Sequence, residues 1–309
     1  MSEMKTKKVV VLYGGRSAER EVSLWTGAAI HKALASRGYD AHLLDVELDV
    51  AARLRELGAE AVFIGLHGRF GEDGCIQGLL ESMGLPYTGS GVLSSALAMD
   101  KVASKQVFDA RGIPTPAWVS MRPEKARKLQ AEDLPFPLPV VVKPASEGSS
   151  VGVHIARDQA ALTAACEDAA RFKGDVILER YHKGREVQVA VLDDEALGAI
   201  EIVPAAEFYD YQAKYKSGGT TRYLFPAPLP EPLYKATLDA ALAAHRALGC
   251  SGATRTDLIV SDDGDLRVLE VNTLPGMTET SLLPKIAAGV GLDFADLCER
   301  ILAGASLKA

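Results

Sequence analysis

The sequence contains no cluster of cysteines. Cys75, Cys166, Cys250 and Cys298 are widely scattered, and no C-x-x-C or Cys/His spacing draws ligands together. That disfavours zinc and leaves each thiol as a small apolar space-filler. Dense basic runs are also missing beyond Lys5, Lys7 and Lys8, and the net charge is −7. Nucleic acid is therefore a disfavoured partner, because backbone phosphates need a basic face. No apolar stretch is long enough to span a membrane. The opening MSEMKTKKVVVLYGG has an apolar run too short for a signal peptide, so it reads as a first strand in a cytoplasmic protein. Two nucleotide fingerprints are absent as well. No G-x-x-x-x-G-K-[ST] occurs, and the first glycine loop does not match G-x-G-x-x-G. No clear ribose-binding acid ends the second strand apart from Asp45, so a nicotinamide or flavin oxidoreductase is disfavoured. No internal repeat or low-complexity tract is found.

What is present is an ordinary globular composition: 48% hydrophobic, 24% charged and 6% aromatic over 309 residues. That length supports two or three units. Strands over 8–13, 41–46 and 61–66 alternate with helices over 21–37, 49–57 and 74–83, which predicts a Rossmann-like parallel sheet in an α/β chain. Ligands of such sheets gather beyond the C-terminal strand ends, where two polar loops lie, 14–21 and 67–74. Helices over 92–99 and 101–111 follow, then an extended link at 113–116. A first boundary falls after Met99. The second unit has a helix over 124–129, two β runs around residues 146–152, a helix over 159–171 and a strand over 176–179. The second boundary falls at Arg185. Strands over 187–191 and 196–203 open a new antiparallel sheet, joined by a helix over 232–248 and strands at 253–260 and from Leu266. The expected units are thus 1–99, 100–185 and 186–309.

Several residues invite a chemical reading, each beside a plainer one. Glu270 and Asn272 are two apart near a strand end and so share a face. Arg255 and Asp257 do the same on the preceding strand. Together they offer hard oxygen donors for Mg²⁺ and a cation. The turn after Asn272 can present the Gly276 N–H, and Thr278, Thr280 and Ser281 suit a helix start that could bind an anion. Lys143 leads into a Gly/Ser-rich tip whose backbone and hydroxyls could cover phosphates. Glu179 and Glu186 flank a short linker that suits a purine pocket, or are solvated acids. Lys101 sits near a helix start. Glu19 could hold an ammonium, or be a solvated acid at a helix start. His67 could touch a carboxylate, or be a turn histidine. The Tyr- and Gly-rich segment 208–221 reads as a lid carrying Lys214 and Tyr215, or as a surface loop.

With these residues stands a set of motifs: GGRSAEREVSL (14–24), LHGRFGEDG (66–74), LPYTGSGV (85–92), MDK (99–101), VKPASEGSSVG (142–152), FYDYQAKY (208–215) and EVNTLPGMTETSL (270–282). In this order, over nearly the whole chain, they resemble the D-alanine–D-alanine ligase family of the ATP-grasp superfamily. The resemblance implies an N-terminal α/β domain and two ATP-grasp subdomains, with ATP between the latter. It implies ATP contacts from Lys101, Lys143, Ser149, Ser150, Phe208 and Lys214. Glu179 and Glu186 would hold the adenosine, with backbone contacts from Arg180, where many relatives carry Lys. Asp257, Glu270 and Asn272 would coordinate two Mg²⁺ ions, or Mn²⁺. Glu19 and His67 would bind the first D-alanine, and Ser281 and Leu282 the second. Arg255 and the Gly276 N–H would stabilise the oxyanion, and Glu19, Ser149 and Tyr215 would form one hydrogen-bonded set. The implied activity is ATP-dependent D-alanyl-D-alanine synthesis through an acyl phosphate, for peptidoglycan, in a homodimer. A ligase of another D-amino acid or hydroxy acid pair, or a non-catalytic ATP-binding regulator, is the alternative.

Overall fold

The computed structural model describes residues 3–148, 151–203, 221–278 and 280–308. Its first sheet is parallel, in the order β2-β1-β3, from β1 (Lys8–Tyr13), β2 (Asp40–Asp45) and β3 (Ala61–Ile64). Between these strands run α1 (Arg20–Ser36) and α2 (Val50–Leu57), and α3 (Cys75–Met83) follows. Val9, Val10, Val11 and Leu12 are all fully buried. A central strand covered on both faces has no polar side, which is why it reads as an unbroken apolar run. Val10 and Leu12 pack toward α2 and α3, Val9 and Val11 toward α1.

Two helices, α4 (Val92–Met99) and α5 (Lys101–Ala110), lead into a four-stranded antiparallel sheet of order β4-β7-β5-β6. Its strands are β4 (Trp118–Met121), β5 (Val140–Pro144), β6 (His154–Ala156) and β7 (Val176–Arg180), with α6 (Pro123–Ala126) and α7 (Gln159–Ala169) packed on one face. A five-stranded sheet of order β10-β9-β8-β11-β12 completes the fold. It contains β8 (Arg185–Leu192), β9 (Glu195–Val203), β10 (Arg222–Leu224), β11 (Ala253–Val260) and β12 (Leu266–Asn272), with α8 (Glu231–Ala247) before β11, and α9 (Leu282–Gly289) and α10 (Phe294–Ala303) at the end.

This third sheet is covered on both faces, and the alternation along β8 shows how. Val187, Val189 and Val191 face α8, while Ala190 and Leu192 join a core shared with α9, α10, β1 and α1. The first and third sheets therefore share one apolar core. Arg37 bonds Asp293 and Asp296 at that seam. No helix among the described residues is long and apolar enough to cross a membrane.

The structure departs from the sequence reading in three local ways. The helix expected over 124–129 is the single turn of α6, begun by Pro123. Strand β4 was not anticipated, because four half-buried residues at a sheet edge give little periodic signal. So was β10, which pairs with β9. The expected lid, with Phe208, Lys214 and Tyr215, and the loop residues Ser149 and Ser150 lie outside the described residues.

Candidate active site

The register of β11 on β12 places Arg255 opposite Asn272 and Asp257 opposite Glu270. Paired residues of an antiparallel ladder point to one side, so all four project from one sheet face, as the spacing predicts. On β8 the same row continues with Gln188 opposite Asp257. The register shifts after Asp257, where Leu258 pairs with Val268 and Leu269 is the extra residue of a bulge. The bulge lets Val268 and Val271, three apart, both face the α8 core while Glu270 and Asn272 face the site.

Charges on this face are matched. Arg255 grips Asp257 with Nε at 2.7 Å and Nη2 at 2.9 Å. Gln188 donates to the same carboxylate at 3.2 Å. Lys101 Nζ lies 3.3 Å from Glu270 Oε2 and donates to the Glu147 carbonyl at 2.7 Å. The Asn272 side-chain oxygen accepts from the Leu274 N–H at 3.0 Å, which bends the chain into the following turn. Lys101 starts α5, whose cap Asp100 accepts from Val102 and Ala103.

Facing this row is the loop region of the first sheet. Together they enclose a cleft of about 700 Å³ lined by Glu19, His67, Lys101, Arg255, Asn272 and Gly276, among others. Glu19 caps α1 by position. Gly68 sits at φ +69°, and a Cβ there would lie 2.5 Å from Glu19 Oε2; only glycine admits both that backbone and that approach. A Cβ on Gly148 would stand 3.7 Å from the same oxygen, so the loop after β5 also reaches Glu19. His67 is nearly buried, with Nε2 2.9 Å from Thr26 Oγ1 and Nδ1 3.5 Å from Glu72 Oε1. Asp45 is engaged elsewhere: Arg20 holds it bidentately at 2.8 and 2.6 Å, and the Gly15 N–H donates to it. That pulls the carboxyl below its usual range, chiefly through the Arg20 hydrogen bond.

A second cleft, of about 1030 Å³, opens between the four- and five-stranded sheets. Val141, Val153, Ile155, Ile259 and Leu269 give it apolar walls; Lys101, Lys143, Glu179, Arg180, Glu186 and Glu270 also line it. The bulge thus turns Leu269 into this cleft. Lys101 and Glu270 border both cavities. Glu179 is 2% exposed and takes two ammonium groups on one oxygen, Lys105 at 2.7 Å and Lys143 at 2.8 Å. Burial pushes its carboxyl up, but the two cations outweigh burial and hold it at about 2. The Arg180 N–H donates to the Ala117 carbonyl at 2.8 Å.

The turn after β12 brings Gly276 to the cleft wall. A Cβ there would meet Ser281 Oγ at 2.7 Å. Ser281 is the N-cap residue of α9, but its hydroxyl caps no helix amide. It accepts from the Thr278 N–H at 3.1 Å instead, turning the cap into the brace of the preceding turn. Leu282 is buried as the first helical residue.

Sequence reasoning missed Lys105, Glu72, Glu147 and Gln188. Lys105 had a signal: it lies four residues after Lys101 and so shares its helix face. Gln188 alternates with Glu186 along β8. Glu147 takes part through its backbone carbonyl, which no residue type announces.

Comparison with known proteins then decides the kinship. A family model described as "D-ala D-ala ligase C-terminus" matches residues 107–303, and one described as "D-ala D-ala ligase N-terminus" matches 49–90. The chain belongs to the D-alanine–D-alanine ligase family. It is 61% identical over 309 residues to a D-alanine–D-alanine ligase of Anaeromyxobacter sp. (strain Fw109-5), covering 100% of both chains. To the ligase of Geotalea uraniireducens (strain Rf4) it is 56% identical, over 100% of this chain and 98% of the relative. Among solved structures, the Bacillus anthracis ligase complexed with ATP superimposes with a TM-score of 0.82 at 35% identity, over 96% of this chain and 97% of that one. The three-sheet α/β architecture described above is the ATP-grasp arrangement of that family.

Proposed function

We propose that this chain joins two D-alanines into D-alanyl-D-alanine, consuming ATP and releasing ADP and phosphate, as a step toward peptidoglycan precursors. One observation carries the reading. A single cleft is walled by Glu19 and His67 from the first unit, Lys101 and Glu147 from the second, and Arg255, Glu270, Asn272 and Gly276 from the third. An ammonium site, a phosphate site and an oxyanion site therefore border one space. We take the units as 1–99, 100–185 and 186–309, and the enzyme as a cytoplasmic homodimer.

ATP fits the apolar cleft between the second and third sheets. Its adenosine would lie toward Glu179, Arg180 and Glu186. Its phosphates would extend toward Lys143 and Lys101, under Ser149 and Ser150, with Phe208 and Lys214 from segment 208–221. Among the described residues no three His, Cys, Asp or Glu side chains form a metal cage. The donor set at the site is instead two carboxylates and an amide, Asp257, Glu270 and Asn272, which is the oxygen chemistry of Mg²⁺ or Mn²⁺. Arg255 and Lys101 contact the two carboxylates, and the oxygens of Asp257, Glu270 and Asn272 would hold the ion. When bound, a pair of ions would offset the charge of the transferring phosphoryl group.

Glu19 holds the ammonium of the first D-alanine, with His67 beside it. Its carboxylate then attacks the γ-phosphorus while Lys101 and Lys143 balance the crowded oxygens. The acyl phosphate so formed needs protection from water, a task suited to segment 208–221 and to a Glu19–Ser149–Tyr215 hydrogen-bonded set. The second D-alanine, its carboxylate at Ser281 and the start of α9 near Leu282, attacks the activated carbonyl through its amine. Arg255 and the Gly276 N–H receive the oxyanion; the carbon–oxygen bond to phosphate then breaks, and hydrogen phosphate leaves with the proton the amine gives up.

The test is to incubate pure protein with ATP and Mg²⁺ and one amino acid at a time, then identify products by mass spectrometry. D-alanine should give the dipeptide with matching ADP and phosphate, and L-alanine nothing. A preferred D-Ala–D-Ser or D-Ala–D-lactate product would move the substrate assignment to another pair. No ADP with any of them would sink the catalytic reading.

A further inference from the structure

Lys105 is 0% exposed, with its amine buried against a carboxylate, and it lines neither of the two clefts described above. Its Nζ lies 2.7 Å from Glu179 and donates to Thr115 Oγ1 at 2.7 Å. Thr115 in turn donates to the Val268 carbonyl on β12 at 2.8 Å. Glu179 stands between Lys105 behind it and Lys143 in front, both on the same oxygen, and Lys143 lines the nucleotide cleft. Two buried ammonium groups share one carboxylate. Asp109 also attracts Lys105, but Glu179 is the carboxylate in contact with both amines, and a buried charge that must share its partner is costly.

We propose that Lys105 is a positioning residue for nucleotide binding: by sharing the Glu179 oxygen from behind, it weakens that carboxylate's hold on Lys143 and leaves the Lys143 amine available to nucleotide phosphate. Without Lys105, Glu179 and Lys143 would form a closed neutral pair, and an incoming phosphate would have to compete with the carboxylate. With Lys105, the phosphate meets a lysine whose carboxylate is already shared. The same residue ties three elements together. It lies on α5, the helix that presents Lys101. It fixes Glu179 on β7, and through Thr115 it reaches β12, the strand of Glu270 and Asn272. This inference rests on the proposed phosphate role of Lys143.

The experiment measures binding directly, so that it does not depend on which acids are joined. Calorimetry with ATP and with inorganic tripolyphosphate is run on the parent, on Lys105→Met, and on Lys105→Met/Glu179→Gln. Lys105→Met should weaken both ligands by about tenfold or more, the scale of one charge-assisted hydrogen bond. The double variant leaves no buried carboxylate to neutralise Lys143. It should recover tripolyphosphate affinity to within roughly threefold of the parent, while ATP stays weaker because Glu179 also faces the adenosine end. A merely structural lysine would lower the melting temperature of Lys105→Met without this recovery. Parental affinity in Lys105→Met overturns the proposal. So does a double variant that binds tripolyphosphate as weakly as the single one. Should Lys105→Met not fold, the double variant alone decides: near-parental tripolyphosphate affinity supports the role, and a loss of about tenfold or more overturns it. A ligase assay that yields no dipeptide from the parent would reject the substrate reading and leave these binding constants standing.

Discussion

Lys101 at the start of α5 reaches across to Glu270 on β12, Nζ to Oε2 at 3.3 Å, and so joins the second unit to the third at the point where the two clefts meet. A carboxylate there holds the lysine, and under the proposed function it would also hold a metal ion. Glu270→Gln keeps the shape and removes the charge needed for both. ADP formation should fall by about a hundredfold or more, the range seen when a metal site loses an essential partner. A coupled ADP-release assay across a Mn²⁺ and Mg²⁺ titration checks it. Wild-type turnover would refute the metal assignment.

Arg255 offers a sharper separation of binding from chemistry. Its guanidinium grips Asp257 at two points with a planar fork, which lysine cannot reproduce. Arg255→Lys retains the charge but loses the fork. The maximal rate should drop by about a hundredfold, the usual consequence of removing one oxyanion donor. The KM for ATP should change little, since Arg255 does not line the nucleotide cleft. Steady-state kinetics at saturating D-alanine give both numbers. A change confined to the KM for ATP would remove Arg255 from the oxyanion site.

The contrast between Glu270 and Lys105 shows what can be read from sequence here. Glu270 and Asn272 announce themselves by a two-residue spacing on one strand, and the turn from Asp262 to Asp265 announces that this strand folds back on the one carrying Asp257 and Arg255. All of that is local. The bulge at Leu269 is not, because it depends on how β12 meets β11, and the broken alternation of Val268, Leu269 and Val271 gave only its trace. Lys105 is less legible still. A lysine in the middle of a helix ordinarily faces water, and its burial makes sense only once Glu179, from a distant strand, is seen beside it. Val9 to Leu12 stand at the other extreme, since a run without polar positions leaves a central parallel strand as the natural reading.

Glu179 also gives a signature in pH. Burial raises its carboxyl, but the ammonium groups of Lys105 and Lys143 outweigh burial and lower it, so that it titrates at about 2 in the fold against 4.5 ordinarily. A lowered folded value means that its contribution is fully present above about pH 4.5 and is lost as pH falls toward 2. Burial lowers the Lys105 ammonium in turn, which opposes the pair. The short contacts from two cations favour the ionised carboxylate as the governing state. Thermal melts from about pH 5 down to about pH 2 should show a steeper loss of stability in the parent than in Glu179→Gln. Parallel curves would mean that Glu179 carries no buried charge.

Gly27 links packing to the substrate site. It lies inside α1, and a Cβ there would collide with the Cβ of Tyr13 on β1. The helix can lie this close to the strand only because the side chain is absent. Gly27→Ala must push α1 outward, at a cost of about 1–3 kcal/mol for overpacking a tight contact. Helix propensity works the other way, since alanine is favoured over glycine by about 1 kcal/mol in a helix interior. The steric term should win, because the obstacle includes the base of a side chain anchored on a buried strand. Glu19 caps the same helix, so the displacement also reaches the ammonium site. A lower melting temperature together with a raised KM for the first D-alanine is expected, with the KM for ATP unchanged. Calorimetric melting and substrate kinetics read the two effects separately. A melting temperature at or above that of the parent would show that α1 has room to spare and that its closeness to β1 does not set the position of Glu19.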